Sequence, residues 1–268
     1  MLGKLLKQEF SATARYFIPL YGLILILTPL FSIMFRFMKE YDVESQVISL
    51  LASIALFGIF GFVFLVIATF IATLILIIIR FYKTTATSEA YLTFTLPVKT
   101  YQIVLSKTIT AFAWEFLAAV IAVTSIVMMF CISGFATPSE ILNGLRELFD
   151  YSLFNMNGEQ FFTLSLILLS SITGVISSIM KVYCSIAIGQ LFRNHRVLIS
   201  IGIYFAIYFA LQFVSMIFSI GGILLLSGDS EHLFINYTYI VAILQNTAIS
   251  IAGFWITTWI LKKHLNVM

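Results

Sequence analysis

Glu115 and Lys181 are the two side chains in this sequence that most need a chemical reason. Each interrupts a long apolar run, and an ionisable group inside a membrane-crossing segment marks a functional candidate. Glu115 follows Lys107 by eight residues, which places it about 12 Å deep at ~1.5 Å rise per residue. Lys181 precedes Arg193 by twelve residues, about 18 Å by the same rise. A lysine stem can extend towards the interface and cover that difference in depth. The expectation is therefore an ion pair between the third and fourth spans, serving either to hold the helices or as a titrating site for transport.

Other constellations that could do chemistry are missing. No G-x-x-x-x-G-K-[ST] phosphate loop occurs, so ATP hydrolysis through such a loop is not expected in this chain. His195, His232 and His264 fall at loops or termini, without Cys or acidic residues at metal-ligand spacing. Ser133-Gly134 has no histidine within a span to act as its base. The expectation is a protein that is not an enzyme and holds neither metal nor cofactor. Cys131 and Cys184 lie in different apolar runs and are read as buried thiols rather than a disulfide.

One more acidic residue is out of place. In residues 1–15, helical periodicity puts Leu2, Leu5, Leu6, Phe10 and Thr13 on one face and Lys4, Lys7, Gln8, Ser11 and Arg15 on the other. This predicts an amphipathic helix along a membrane surface. Glu9 projects into its apolar face. It either sits at the water line or meets a cation such as Arg80 where that face packs on protein.

These residues need a frame. With 61% hydrophobic and 10% charged residues, and a mean hydropathy of +1.06, the chain cannot bury its apolar surface as a soluble domain. Its uncharged runs exceed the ~18 residues that signal a membrane span and lack the alternation of a membrane β-barrel. The fold class expected is an all-α polytopic membrane protein with six transmembrane helices in one domain. The spans are placed at 16–38, 49–79, 103–134, 160–191, 197–220 and 237–261. The first is expected to persist as a span, since no cleavable signal peptide is apparent. Pro29 is expected to kink it. Thr137-Pro138-Ser139-Glu140 reads as a capping box opening an amphipathic helix over 137–150. Gly221-Gly222 is expected to break the fifth run, leaving 221–236 as a re-entrant or extracellular piece. Gly202, Ala206 and Ala210 form a small-residue ridge.

Alternation across six spans puts twelve of the 15 basic residues on one side and only Arg36, Lys39 and Arg146 on the other. By the positive-inside rule both termini are then cytoplasmic. The polar segment 80–102 between the second and third spans faces the same way. Within it, Thr87 or Ser88 can cap a short helix that Pro97 stops. Two aromatics and two leucines lie between, so some partner surface should cover them.

The opening MLGKLLKQEFSATARYFIPLY and the segment RFYKTTATSEAYLTFTLPVKTYQIVLSK resemble permease subunits of bacterial ABC-2-type transporters, of the Gram-positive kind whose ATPase is a separate polypeptide. The specific likeness lies in these two stretches; the rest of the chain matches in topology. The resemblance implies a coupling helix at Ser88, Glu89, Ala90, Tyr91, Leu92, Thr93, Phe94, Thr95 and Leu96 that docks on the ATPase. It implies a smaller second contact at Arg193, Asn194, His195 and Arg196. It further implies a second permease chain, identical or related, membrane lipid around both, no nucleic-acid partner, and ATP with Mg in the partner ATPase. The setting would be the bacterial plasma membrane and the activity export. The apolar runs suit an amphipathic or hydrophobic cargo such as a peptide or antibiotic. Relatives often carry a re-entrant hairpin before the last span; here 221–236 is a shortened candidate and the larger external insert is 136–160. Two other classes stay open: a non-pumping immunity or sensor protein that binds a peptide, and an ion-coupled carrier.

Overall fold

The computed structural model describes residues 2–40, 47–87, 98–154, 157–192, 195–226 and 231–263. These form seven α-helices and, among the described residues, no strand: α1 (Leu2–Glu40), α2 (Val47–Ala86), α3 (Thr100–Ser133), α4 (Pro138–Phe154), α5 (Gly158–Gly189), α6 (Arg196–Leu226) and α7 (Glu231–Lys263). All except α4 contain a stretch of 30 to 34 residues apolar enough to cross a membrane, where ~20 suffice. This is the make-up of a multi-pass helical membrane protein.

The distribution of side chains is inverted relative to a soluble protein. Phe57 and Leu225 are 77% and 80% exposed, while Thr28, Ser32, Thr73 and Ser125 are fully buried. Lipid can cover the first group. The second group is small enough to let helices approach, and two of its hydroxyls return to their own helix. Thr28 Oγ1 donates to the Ile24 carbonyl at 2.8 Å and Ser32 Oγ to the Thr28 carbonyl at 2.7 Å.

Three boundaries differ from the sequence expectation. The expected helix over 1–15 and span over 16–38 are, from Leu2 onward, one continuous helix, α1, which runs through Pro19 and Pro29. The fifth run is not broken at Gly221-Gly222: α6 continues to Leu226 and α7 opens at Glu231, so 221–226 belongs to the helix. Each helical glycine costs only ~1 kcal/mol, less than leaving backbone groups unpaired in lipid. Gly222 has a packing role instead, since a Cβ there would collide with the Tyr237 ring. The third difference is α4, which extends past 150 to Phe154. Its start is as expected: Glu140 Oε2 accepts from the Thr137 N–H at 2.8 Å, and Thr137 Oγ1 accepts from the Glu140 N–H at 3.2 Å. Upstream, α3 ends at Ser133, and the following Gly134 has a φ of +73° that suits a residue without Cβ.

The chain divides into two compact units, and α1, α2 and α3 contribute residues to both. The first holds Met1–Glu9, Ile77–Phe112 and Met156–Met268. Within it α5 and α7 run parallel, joined by polar contacts along their length. Thr163 Oγ1 donates to Asn236 Oδ1 at 2.7 Å and Ser177 Oγ to Asn246 Oδ1 at 3.0 Å. Farther along, Gly253 faces Met180. Helix α6 runs antiparallel to α7, with Gln245 Nε2 donating to the Leu211 carbonyl at 3.0 Å and the Tyr237 hydroxyl to the Phe218 carbonyl at 3.2 Å. Its Gly202, Ala206 and Ala210 ridge lies exposed.

The second unit holds Phe10–Leu76 and Ala113–Asn155. An aromatic knot sits at its centre. Trp114 stacks on Phe17 with ring centroids 4.5 Å apart, and its indole N–H donates to Thr13 Oγ1 at 2.8 Å. The Tyr21 hydroxyl donates to the Trp114 carbonyl at 2.9 Å. Phe31 packs against Gly61, where a Cβ would collide with its ring.

Candidate functional site

The first unit contains a charged cluster at the helix ends that flank the polar loop. Its origin is the misplaced Glu9 on α1. Lys4, Lys7, Gln8, Ser11 and Arg15 are exposed along the opposite face, while Glu9 is half-buried. Glu9 Oε2 accepts from Arg80 Nε at 3.3 Å, and Glu9 Oε1 accepts from Lys107 Nζ at 2.6 Å. One carboxylate thus holds two cations, one oxygen to each, within the accepting capacity of the group.

The two contacts differ physically. The Lys107 side chain is 3% exposed, that of Glu9 15% and that of Arg80 30%. The Lys107 bond is short and shielded, as a charge-assisted bond in a low-dielectric setting should be. The Arg80 contact is longer and reached by solvent, so its net contribution is small. A buried pair offsets its own desolvation and gives little net stability. Its effect is to make any other register of α1 against α3 costly.

Sequence puts each side chain in place. Arg80 lies near the end of α2, where Thr84, Thr85 and Thr87 hydroxyls donate to the Arg80, Phe81 and Lys83 carbonyls at 2.8, 2.7 and 2.5 Å. Such back-bonding adds a second donor to the Arg80 and Phe81 carbonyls and supplies one to Lys83, whose carbonyl lies in the last turn where helical amides run out. Lys107 lies on the covered face of α3 with Ile103, Val104, Ser106, Thr110 and Ala111, all buried. A fourth helix closes the cluster. Tyr183 of α5 donates from its hydroxyl to the Lys107 carbonyl at 3.4 Å, and its ring stacks on Phe81 at 3.8 Å between centroids and 10° between planes. Adjacent residues of α2, Arg80 and Phe81, therefore reach α1 and α5 respectively.

In sequence the cluster brackets residues 88–97. The described chain stops at Thr87 and resumes at Val98, with Arg80 on the entering helix and Lys107 on the leaving one. The residues expected to couple, Ser88, Glu89, Ala90, Tyr91, Leu92, Thr93, Phe94, Thr95 and Leu96, lie outside the described residues, as do Arg193 and Asn194. His195 is exposed at a φ of +55°, and its carbonyl accepts the Ile199 N–H at 3.0 Å to open α6. The Arg196 carbonyl accepts from Ser200 Oγ at 2.8 Å. Beside it, a Cβ on Gly189 would crowd Ser200 and the Arg196 carbonyl, so the end of α5 packs closely on the start of α6.

Of the expected pairs, Glu9 meets Arg80. Glu115 belongs to the second unit and Lys181 to the first, and neither takes part in an ion pair among the described residues. Glu115 is half-buried, and its Oε1 is buried without a hydrogen-bond partner. Lys181 is also half-buried. Sequence reasoning missed Lys107 as the closer partner of Glu9. The usable signal was symmetry: both charges sit on the apolar face of their helix.

Among the described residues no three His, Cys, Asp or Glu side chains gather as a metal site. Cys131 and Cys184 are free thiols. Comparison of the chain with protein-family models, curated proteins and solved structures returns no match.

Proposed function

We propose that this chain is the membrane-spanning permease subunit of an ATP-driven exporter, built like the ABC-2-type permeases its two polar stretches resemble. The observation that supports this most is Glu9, which grips Arg80 before the loop and Lys107 after it. A partner that pushes on residues 88–97 would displace the ends of α2 and α3 together, and α1 with them. A loop tethered in this way transmits a rigid-body motion to the helices.

In this reading both termini and the 80–102 segment are cytoplasmic, in a bacterial plasma membrane. Two permease chains, identical or related, form the path. Separate ATPase subunits bind ATP and Mg and close on each other, and Ser88–Leu96 with Arg193–Arg196 receive the stroke. The equilibrium between inward- and outward-open arrangements shifts by the ATPase's different affinity for the two. The cargo is an amphipathic or hydrophobic molecule such as a peptide or antibiotic.

The test is co-purification in mild detergent from the native host. The chain should retain a soluble ATPase, and Tyr91→Asp or Phe94→Asp should release it while leaving the membrane protein monodisperse. Absence of an ATPase from the native preparation, or transport driven by a pH gradient without ATP, would overturn the proposal.

A further inference from the structure

We infer that Glu115 is the binding site for the positive group of an amphipathic organic cation. This rests on the export reading and deepens it by naming the chemical class of the cargo. Glu115 lies within the spanning stretch of α3 (Thr100–Ser133), where an ionisable side chain is expensive unless it meets a partner.

The buried stripe of α3 is Ala111, Trp114, Ala118, Ala122, Ser125 and Met129. Glu115 lies at its edge, four residues after Ala111 and three before Ala118. One of its oxygens is buried with no hydrogen-bond partner, yet the residue as a whole is only half-buried. The carboxyl is thus sunk into protein on one side and reachable on the other.

The polar groups around it are engaged elsewhere. The Trp114 N–H donates to Thr13 Oγ1, and the Tyr21 hydroxyl donates to the Trp114 carbonyl. Tyr21 also lies 3.4 Å from Thr73 Oγ1. Among the described residues none of these donors meets the buried Glu115 oxygen, in contrast to Glu9, where both oxygens are occupied. An acceptor left unmet in an apolar setting costs more than a bond made, and a ligand that brings its own donor removes that cost.

The surroundings also select the kind of cation. A hard divalent ion needs about six or more oxygen ligands, and no acidic or histidine cluster exists among the described residues. One carboxylate amid alanines, with Phe116 and Leu117 exposed beside it, instead matches an ammonium or guanidinium carried on an apolar body. Such sites are mainly apolar with few polar groups that fix orientation.

The experiment uses the full-length chain in lipid nanodiscs without any ATPase, so that its outcome is separate from that of the coupling test. The probe is a photoreactive long-chain alkylammonium, compared with the alcohol of equal length, with labelled peptides mapped by mass spectrometry. The ammonium should label the Glu115 region of α3 saturably, and the alcohol should not. Glu115→Gln should weaken that labelling about 10- to 100-fold, as loss of a charge-assisted bond does, and Glu115→Asp should keep most of it. The inference is overturned by equal labelling of Glu115→Gln, by equal labelling with the alcohol, or by no saturable labelling of the native chain. Equal loss in both variants would show a packing effect rather than charge recognition, and would also overturn it.

Discussion

The Glu9 cluster makes a quantitative prediction because its two arms differ in burial. Replacing Glu9 with Gln leaves the Lys107 ammonium, 3% exposed, without the carboxylate now 2.6 Å away. Removing one partner of a buried pair costs about 3–5 kcal/mol. The Arg80 arm is 30% exposed at 3.3 Å, and solvent screening limits it to about 0–1 kcal/mol. The expected order of destabilisation is therefore Glu9→Gln largest and Arg80→Gln smallest, with Lys107→Met between them because Glu9 then keeps Arg80. The Glu9→Gln/Lys107→Met double variant should cost less than the sum of the singles, with a coupling of about 1–3 kcal/mol. Unfolding in a mixed-micelle SDS titration measures all four proteins, with reversibility checked on the native chain. Additive losses, or an Arg80→Gln cost equal to that of Glu9→Gln, would refute the assignment of Lys107 as the principal partner.

Three further outcomes follow from packing and capping. Gly222→Val should cost about 1–3 kcal/mol by overpacking against Tyr237, whereas Gly221→Ala, which meets nothing within 4 Å, should be neutral or stabilising by up to ~1 kcal/mol. Paired thermal unfolding of the two variants checks this. Tyr183→Phe keeps the stack on Phe81 and loses only a 3.4 Å hydrogen bond, so it should cost below about 1 kcal/mol. Tyr183→Ala should cost about 3–5 kcal/mol, again by SDS titration. Thr137→Ala removes the cap of α4 and should weaken that helix by about 1 kcal/mol, seen as faster amide exchange confined to its first turns.

What was legible in the sequence was whatever local chemistry decides. The capping box at Thr137 and Glu140 needs only four residues and was read correctly. Run length and hydropathy sufficed for six apolar helices. Gly221-Gly222 was misread because glycine breaks helices where water can take over the backbone groups, and an apolar medium offers no such substitute. The boundary at residue 15 is suggested by a change in amphipathicity, but amphipathicity does not end a helix, and α1 continues through Pro19 and Pro29 although neither can donate an N–H. Glu9 was legible as an anomaly, whereas Lys107 passed as one more basic residue at a membrane edge. Depth along a helix can be counted from sequence, but the direction in which a side chain leaves the helix relative to a neighbour cannot. For the same reason, depths that a lysine stem could reconcile were weak support for pairing Glu115 with Lys181.

Among the described residues two carboxylates, Glu9 and Glu115, are half-buried, and on the proposed reading they divide the tasks of a transporter. Glu9 has both oxygens committed to cations of its own chain, so it is suited to hold helices in register and unsuited to receive a ligand. Glu115 has one buried oxygen with no partner, so that oxygen ties no helix in register and retains capacity for a guest. If both were structural, exchanging each for glutamine should harm folding alike, because an amide replaces two acceptors by one acceptor and one donor in each case. If the tasks are divided, Glu9→Gln should destabilise the protein whether or not cation is present. Glu115→Gln should leave the empty protein as stable as before, or more so, and abolish the extra stability that the alkylammonium confers on the native chain through preferential binding to the folded state. Equal stabilisation of the Glu115→Gln protein by the cation would show that the guest binds elsewhere.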